Sequence, residues 1–124
     1  MHHVTVSCAV NMVDIRLSGT LTQADVDAVG LKLRQAFEGQ RLRPDYLILG
    51  DIADCSIQSQ AIMAAFATLI GTMPPAKRIA FITGTAMVNL QLGRVISRPY
   101  LRAVRDRQAA LAWLVRGEEP AKAA

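Results

Sequence analysis

Two short segments of the chain contain the polar side chains that are best placed to do chemistry. Each follows an apolar run that predicts a buried strand, over residues 46–49 and 79–82. Because ligands of open α/β sheets collect beyond the carboxyl ends of the strands, these two segments predict a shared site. Hydroxyl groups and helix-start amides suit an anion, and paired carboxylates suit a metal ion or acid–base chemistry. The candidate residues are Asp51, Asp54, Ser56, Ser59, Thr83, Gly84 and Thr85.

The same residue types are also those of helix caps and turns, and this simpler interpretation is favoured. No third carboxylate and no histidine accompanies Asp51 and Asp54 locally. Since His2 and His3 stand at the start of the chain, they predict neither metal ligands nor a Ser–His–Asp arrangement. Phosphate-loop and dinucleotide-binding motifs are absent. The sequence therefore predicts no catalytic residue, no metal site and no cofactor.

An apolar segment at residues 87–96 is the second candidate feature. Its pattern predicts a helix whose apolar residues cover much of the circumference. A face this wide predicts contact with a protein partner, a second copy of the chain, or a small apolar or lipid-like ligand, whereas extra core contact is the simpler alternative. The residues assigned to this surface are Met87, Val88, Leu90, Leu92 and Val95.

Composition indicates one globular domain over residues 1–124, with 52% apolar and 19% charged residues. The start of the chain does not read as a signal peptide, and the longest apolar stretch, 61–70, is too short to span a bilayer. A cytoplasmic protein without a transmembrane segment is expected. The two cysteines, Cys8 and Cys55, are predicted to be buried free thiols.

Positive charge is concentrated in the second part of the chain. Residues 77–124 carry nine basic and three acidic side chains, although the whole chain has a net charge of only +4. Such a bias can favour an acidic partner, but a solvated charged face is the simpler interpretation. No aromatic residues alternate with these arginines, so no nucleic-acid partner is predicted.

The elements that position these residues alternate along the chain. Period-two runs at 4–10 and 13–17 predict an antiparallel hairpin with a turn at Asn11 and Met12. A capping box at Thr22 and Asp25 predicts the first helix, which ends near Gly39. Strands at 46–49, 79–82 and 100–104 then alternate with helices that end near Ile70, Ile96 and Gly117. This order predicts an α/β domain with a mixed, mostly parallel sheet of about five strands and about four helices mainly on one face. The ordered core is expected over 4–116, with a tail at 117–124.

Three stretches of sequence carry a family resemblance: 17–22, 46–51, and 80–82 together with 100–106 and 110–114. Over residues 4–115 they resemble the SpoIIAA-like fold of STAS domains, especially the branch labelled STAS/SEC14-like. The resemblance implies a non-catalytic interaction or regulatory module that acts on a protein partner or as a homodimer. The SEC14-like likeness implies the alternative, a carrier of a small apolar or lipid-like ligand.

One departure from the family concerns its phosphorylation switch. Phosphoswitched STAS domains carry an Asp-Ser-Ser-Gly segment after the central strand, whereas residues 51–60 here read Asp-Ile-Ala-Asp-Cys-Ser-Ile-Gln-Ser-Gln. Ser56 and Ser59 lie nearby, but the motif is absent. A serine phosphoswitch is therefore not carried over to this chain.

Overall fold

The computed structural model describes residues 1–84 and 98–120, which form five strands and three helices. The strands are β1 (His2–Ser7), β2 (Met12–Gly19), β3 (Leu47–Cys55), β4 (Arg78–Thr83) and β5 (Leu101–Val104). The helices are α1 (Gln23–Glu38), α2 (Gln60–Thr72) and α3 (Arg107–Arg116). The fourth predicted helix, at 87–96, lies outside the described residues, and so do Thr85 and all five residues of the predicted apolar surface.

The strands form one sheet in the order β1-β2-β3-β4-β5. The first pair is antiparallel and the other three pairs are parallel, which confirms the predicted mixed sheet that opens with a hairpin. Strand β3 is longer than its apolar run predicted, because the end of β2 continues to pair with it. The register shifts so that Ser18 lies beside Asp54 and Gly19 beside Cys55. Asp51 pairs with Arg16 before this bulge and Asp54 pairs with Ser18 after it, so both lie within the strand, where a loop was expected.

The hairpin turn begins three residues earlier than predicted, because β1 ends at Ser7 and the turn spans residues 8–11. Asn11 has a φ of 53° and ends this turn. Its side-chain oxygen accepts a hydrogen bond from the Arg43 backbone at 2.8 Å, and its carbonyl accepts one from Leu47 at 2.9 Å. Asn11 therefore ties the hairpin to the segment that leads into β3.

The prediction of two buried thiols is wrong for Cys8, which is exposed in this turn. The turn carries Cys8 beyond the end of β1, which stops at Ser7. Cys55 is half-buried, and burial raises the pKa of its thiol to about 11. The Cys55 side chain is therefore a neutral thiol near pH 7.

Two apolar layers flank the sheet because successive residues of β3 face opposite sides. Ile48 belongs to the layer that α1 closes with Val29 and Leu33, and Leu69 of α2 packs against it. Leu49 belongs to the other layer, which α3 closes. Two of the three described helices thus share one face, in accord with the expectation that the helices lie mainly on one face.

Helix α1 begins with the predicted capping box. The Thr22 hydroxyl accepts a hydrogen bond from the Asp25 backbone at 3.3 Å, and the Asp25 carboxylate accepts one from the Thr22 backbone at 2.9 Å. The imidazole of His2 on β1 lies 2.7 Å from the same carboxylate. The His2 contact, followed by the Thr22 backbone bond, lowers the pKa of Asp25 to about 2.

This shift predicts a loss of stability in acid that depends on Asp25. A folded-state pKa below the ordinary value of 3.8 means that the charged carboxylate stabilises the fold above about pH 4, and that this stabilisation is lost as the pH falls toward 2. Asp25→Asn is expected to lower the free energy of unfolding by about 1 kcal/mol at pH 7 and by progressively less from pH 4 to pH 2. Urea denaturation across this pH range measures the difference. Glu38→Gln, which neutralises an exposed carboxyl at the other end of α1, is the control, and an equal pH dependence in both variants would contradict the assignment to Asp25.

Candidate functional site

The candidate residues that the structure describes lie at the carboxyl end of the sheet. Ile52 of β3 pairs with Thr83 of β4, so the ends of the two strands are neighbours, as predicted. On its other edge, β3 pairs with the end of β2. The structure therefore brings the loops after β2 and β3 together at the place where a ligand site was expected.

The two predicted carboxylates, Asp51 and Asp54, differ in burial and in hydrogen bonding. Asp51 is half-buried, and its side chain accepts a hydrogen bond from the Ala53 backbone at 3.2 Å, across the bulge. Asp54 is exposed. Within residues 1–84 and 98–120, no group of three or more histidine, cysteine or acidic side chains is arranged to hold a metal ion. Asp51 therefore supports the local turn of β3.

The backbone of Gly84, just after β4, lies close to the backbone of Ala53 in β3. A β-carbon at this position would lie 2.1 Å from the carbonyl oxygen of Ala53, which is far inside van der Waals contact. Only glycine allows these two backbone segments to approach this closely. The close approach to Ala53 explains why glycine stands at position 84, and the anion site predicted there stays a prediction.

The two predicted serines take part in a cap and a turn. Ser59 caps α2, and its hydroxyl accepts a hydrogen bond from the Ile62 backbone at 3.2 Å. The Ser56 hydroxyl lies 3.1 Å from that of Thr20, and the Ser56 backbone donates to the Gly19 carbonyl at 3.2 Å. These contacts agree with the simpler interpretation of the serines as structural residues.

Gln58 is the residue at this site that sequence reasoning missed. Its side chain is only 8% exposed and bridges the loops after β2 and β3. The side-chain oxygen accepts a hydrogen bond from the Leu21 backbone at 2.8 Å, while the amide nitrogen donates to the carbonyls of Gly19 at 3.0 Å and Ser56 at 2.6 Å. A single glutamine in a polar segment gives no local signal of such burial, because two of its three partners, Leu21 and Gly19, lie almost 40 residues away.

Ile57, which precedes Gln58, is the second residue that was missed. Its side chain is 58% exposed, although isoleucine is among the residue types most often buried. The Gln58 hydrogen bonds fix the loop on one side and the α2 cap fixes it on the other. The side chain of Ile57 is therefore exposed to solvent, while hydrogen bonds of Gln58 and Ser59 fix the backbone of the loop of residues 56–59.

A histidine and a carboxylate meet at the same end of the sheet, next to β2. Because β1 is antiparallel to β2, His2 lies beside Leu17 and reaches Asp25. The pairing occupies one ring nitrogen of His2. Among the described residues, no serine or threonine hydroxyl lies within hydrogen-bond distance of the other ring nitrogen.

Much of the positive charge in the second part of the chain is engaged in internal contacts. Arg107 forms an ion pair with Asp14 of β2, Arg102 with Glu119, and Arg116 with Glu118. The Arg78 guanidinium donates to the Leu114 carbonyl at 2.9 Å. These four arginines do not form an open basic face.

None of the helices in residues 1–84 and 98–120 combines the length and hydrophobicity that crossing a bilayer requires. No protein-family model matches the chain. No curated protein sequence matches it either.

Two solved structures share the architecture. One is an uncharacterized protein from the DUF3478 family with a SpoIIAA-like fold, from Shewanella loihica PV-4. It is 18% identical, the alignment covers 91% of this chain and 93% of that chain, and the TM-score is 0.68. The other is the anti-sigma factor antagonist SpoIIAA in its unphosphorylated form, with 16% identity, coverage of 95% and 100%, and a TM-score of 0.57. Together with the strand order, these similarities show that the chain has the SpoIIAA-like α/β fold.

Proposed function

We propose that the protein is a non-catalytic interaction module that binds a protein partner through the loop of residues 56–59. The observation that carries this proposal is the exposed side chain of Ile57 on a loop fixed by Gln58. An apolar side chain on a fixed loop can be buried by a partner with little loss of conformational entropy. Residues of this kind are suited to the centre of an interface.

The surrounding polar groups support a non-catalytic role. Asp51, Ser56 and Ser59 bond to neighbouring parts of the fold, and Gly84 closes the space between the strand ends. An acid–base or nucleophilic mechanism needs a base within hydrogen-bond reach of the reacting group. The partner is proposed to recognise the shape and apolar character of the loop.

Replacing Ile57 is expected to remove partner binding. The tagged wild-type protein, Ile57→Asp and Val10→Asp are compared in affinity capture from the native cells, with recovery measured by quantitative mass spectrometry. A charge in a desolvated interface centre is expected to reduce recovery of the true partner at least tenfold for Ile57→Asp. Val10, another exposed apolar residue, lies in the hairpin turn and is the matched control. A partner that is recovered equally with all three proteins would contradict the proposal.

The alternative, a carrier of a small apolar or lipid-like ligand, has less support. A cavity of about 170 Å³ lies at the opposite end of the sheet, between Tyr46, Pro74 and Tyr100. Drug-sized ligands occupy pockets of roughly 300–1,000 Å³. The Tyr46 hydroxyl donates to the Pro74 carbonyl at 2.8 Å, and burial raises the pKa of Tyr46 to about 12. Both observations fit a structural role for Tyr46.

A further inference from the structure

An open groove of about 400 Å³ runs between α1 and α2, and the loop of residues 56–59 is not part of its lining. Helix α1 contributes an acidic and a basic side chain to its walls, and α2 contributes small and apolar ones. The lining residues used below are Asp27, Gly30 and Arg34 from α1, and Ala65, Thr68 and Leu69 from α2.

The surface on both sides of this groove has the character of an interface. Helix α2 carries no charged residue over its 13 residues, yet none of its side chains is fully buried. On α1, Leu31 is 49% exposed beside Asp27 and Arg34. Depletion of charge together with exposed apolar side chains is typical of the centre of a protein–protein contact.

The two charges on α1 make the groove self-complementary. Asp27 and Arg34 are seven residues apart, so they lie on one side of the helix and about 10 Å from each other along it. Gly30 and Leu31 are midway between them. A two-fold rotation about this midpoint places Asp27 opposite Arg34 of the partner subunit, and Arg34 opposite Asp27 of the partner subunit. Within the described residues, Arg34 forms no ion pair, so its charge is available for such a contact.

We propose that a second copy of this chain docks on the α1–α2 groove, with the two α1 helices antiparallel about a two-fold axis near Gly30 and Leu31. This inference goes beyond the proposed function, because it concerns a surface other than the loop of residues 56–59 and names a second copy of the chain as its occupant. Helices of 16 and 13 residues are about 24 and 20 Å long and about 10 Å wide, so the contact buries roughly 900 Å² in total. Since stable complexes bury about 1,200–2,000 Å², the dimer is weak and depends on concentration.

Charge reversal at the two positions tests this arrangement. Sedimentation velocity of the wild type from about 10 μM to 1 mM is expected to show a monomer–dimer equilibrium. Asp27→Arg and Arg34→Glu each place like charges opposite one another and are expected to raise the dissociation constant at least tenfold. The double variant restores opposite charges and is expected to dimerise as the wild type does.

An equimolar mixture of the two single variants is the sharpest measurement. Asp27→Arg presents two positive charges and Arg34→Glu presents two negative ones, so the mixture is expected to form a heterodimer although each variant alone is monomeric. Lys32→Glu reverses an exposed charge outside the groove and serves as the control that leaves the dimer intact, while circular dichroism verifies that every variant is folded.

A wild type that stays monomeric at 1 mM overturns the inference. Single variants that dimerise like the wild type, or a mixture that stays monomeric, overturn it as well. Ile57→Asp distinguishes this failure from failure of the proposed function. If the protein is monomeric but Ile57→Asp still abolishes capture of the partner, only the proposed dimer is refuted. If the dimer forms and depends on the two charges, but Ile57→Asp leaves the captured partners unchanged, only the role of the loop is refuted.

Discussion

Replacing Trp113 with alanine is expected to lower the free energy of unfolding by about 3–5 kcal/mol. Trp113 lies on α3, is only 7% exposed, and belongs to the core layer that also contains Leu49 and Ala80. Its indole nitrogen donates to the carbonyls of Ile79 and Tyr100, both at 3.2 Å. The side chain therefore joins α3 both to β4 and to the turn before β5, and truncation leaves a cavity together with two carbonyls that lose a donor.

Two arginines depend on the same ring. The guanidinium carbons of Arg102 and Arg78 lie 4.3 and 5.6 Å from the centre of the Trp113 ring. Arg102 also pairs with Glu119 through two hydrogen bonds of 2.8 and 2.9 Å. Loss of the ring removes the surface on which both cations rest, which adds to the cost of the cavity.

Trp113→Phe separates packing from hydrogen bonding. Phenylalanine keeps most of the apolar volume but has no indole N–H, so a smaller loss of about 1–2 kcal/mol is expected. Because Trp113 is the only tryptophan, unfolding in urea is best followed by far-ultraviolet circular dichroism. A loss below about 1 kcal/mol for Trp113→Ala would show that α3 contributes little to the core.

Local signals explain what the sequence predicted correctly. The capping box involves Thr22 and Asp25, which are three positions apart, so the pattern that defines it is visible in the chain. The alternating and continuous apolar runs likewise predicted the order of strands, since burial on one or two faces imposes those patterns directly.

Contacts between distant segments explain what the sequence did not predict. The extension of β3 to Cys55 depends on pairing with Gly19, 36 residues earlier, and a register shift in that pairing leaves no local mark. The burial of Gln58 and the exposure of Ile57 depend on the same loop-to-loop contact. The described candidate residues lie at the end of the sheet where the strand pattern predicted them, whereas the burial of Gln58 and the exposure of Ile57 were not predicted.

Gly50 is the position where the smallest substitution is expected to have a large effect. A β-carbon at Gly50, in the middle of β3, would lie 2.6 Å from two carbons of the Phe81 ring on the neighbouring strand. Phe81 is buried in the core layer that includes Ile48 and Ile79, so a displacement of its ring disturbs the packing of that layer. Gly50→Ala is expected to lower the free energy of unfolding by about 2–3 kcal/mol through overpacking. Gly71→Ala is the matched control, because a β-carbon on α2 there meets no atom within 4 Å and is expected to stabilise the helix by up to about 1 kcal/mol.

A smaller side chain at position 81 is expected to reverse much of the Gly50→Ala effect. Phe81→Leu alone is expected to cost about 1–2 kcal/mol, since it leaves part of the space above Gly50 empty. In the double variant the new methyl group occupies that space. The double variant is therefore expected to lose at least about 1 kcal/mol less free energy of unfolding than the sum of the two single-variant losses. Urea denaturation of the wild type, the two single variants and the double variant measures the four free energies of this double-mutant cycle. Strict additivity would show that the cost of Gly50→Ala arises from the strand backbone rather than from the ring, because only a steric conflict with Phe81 can be relieved by shortening that side chain.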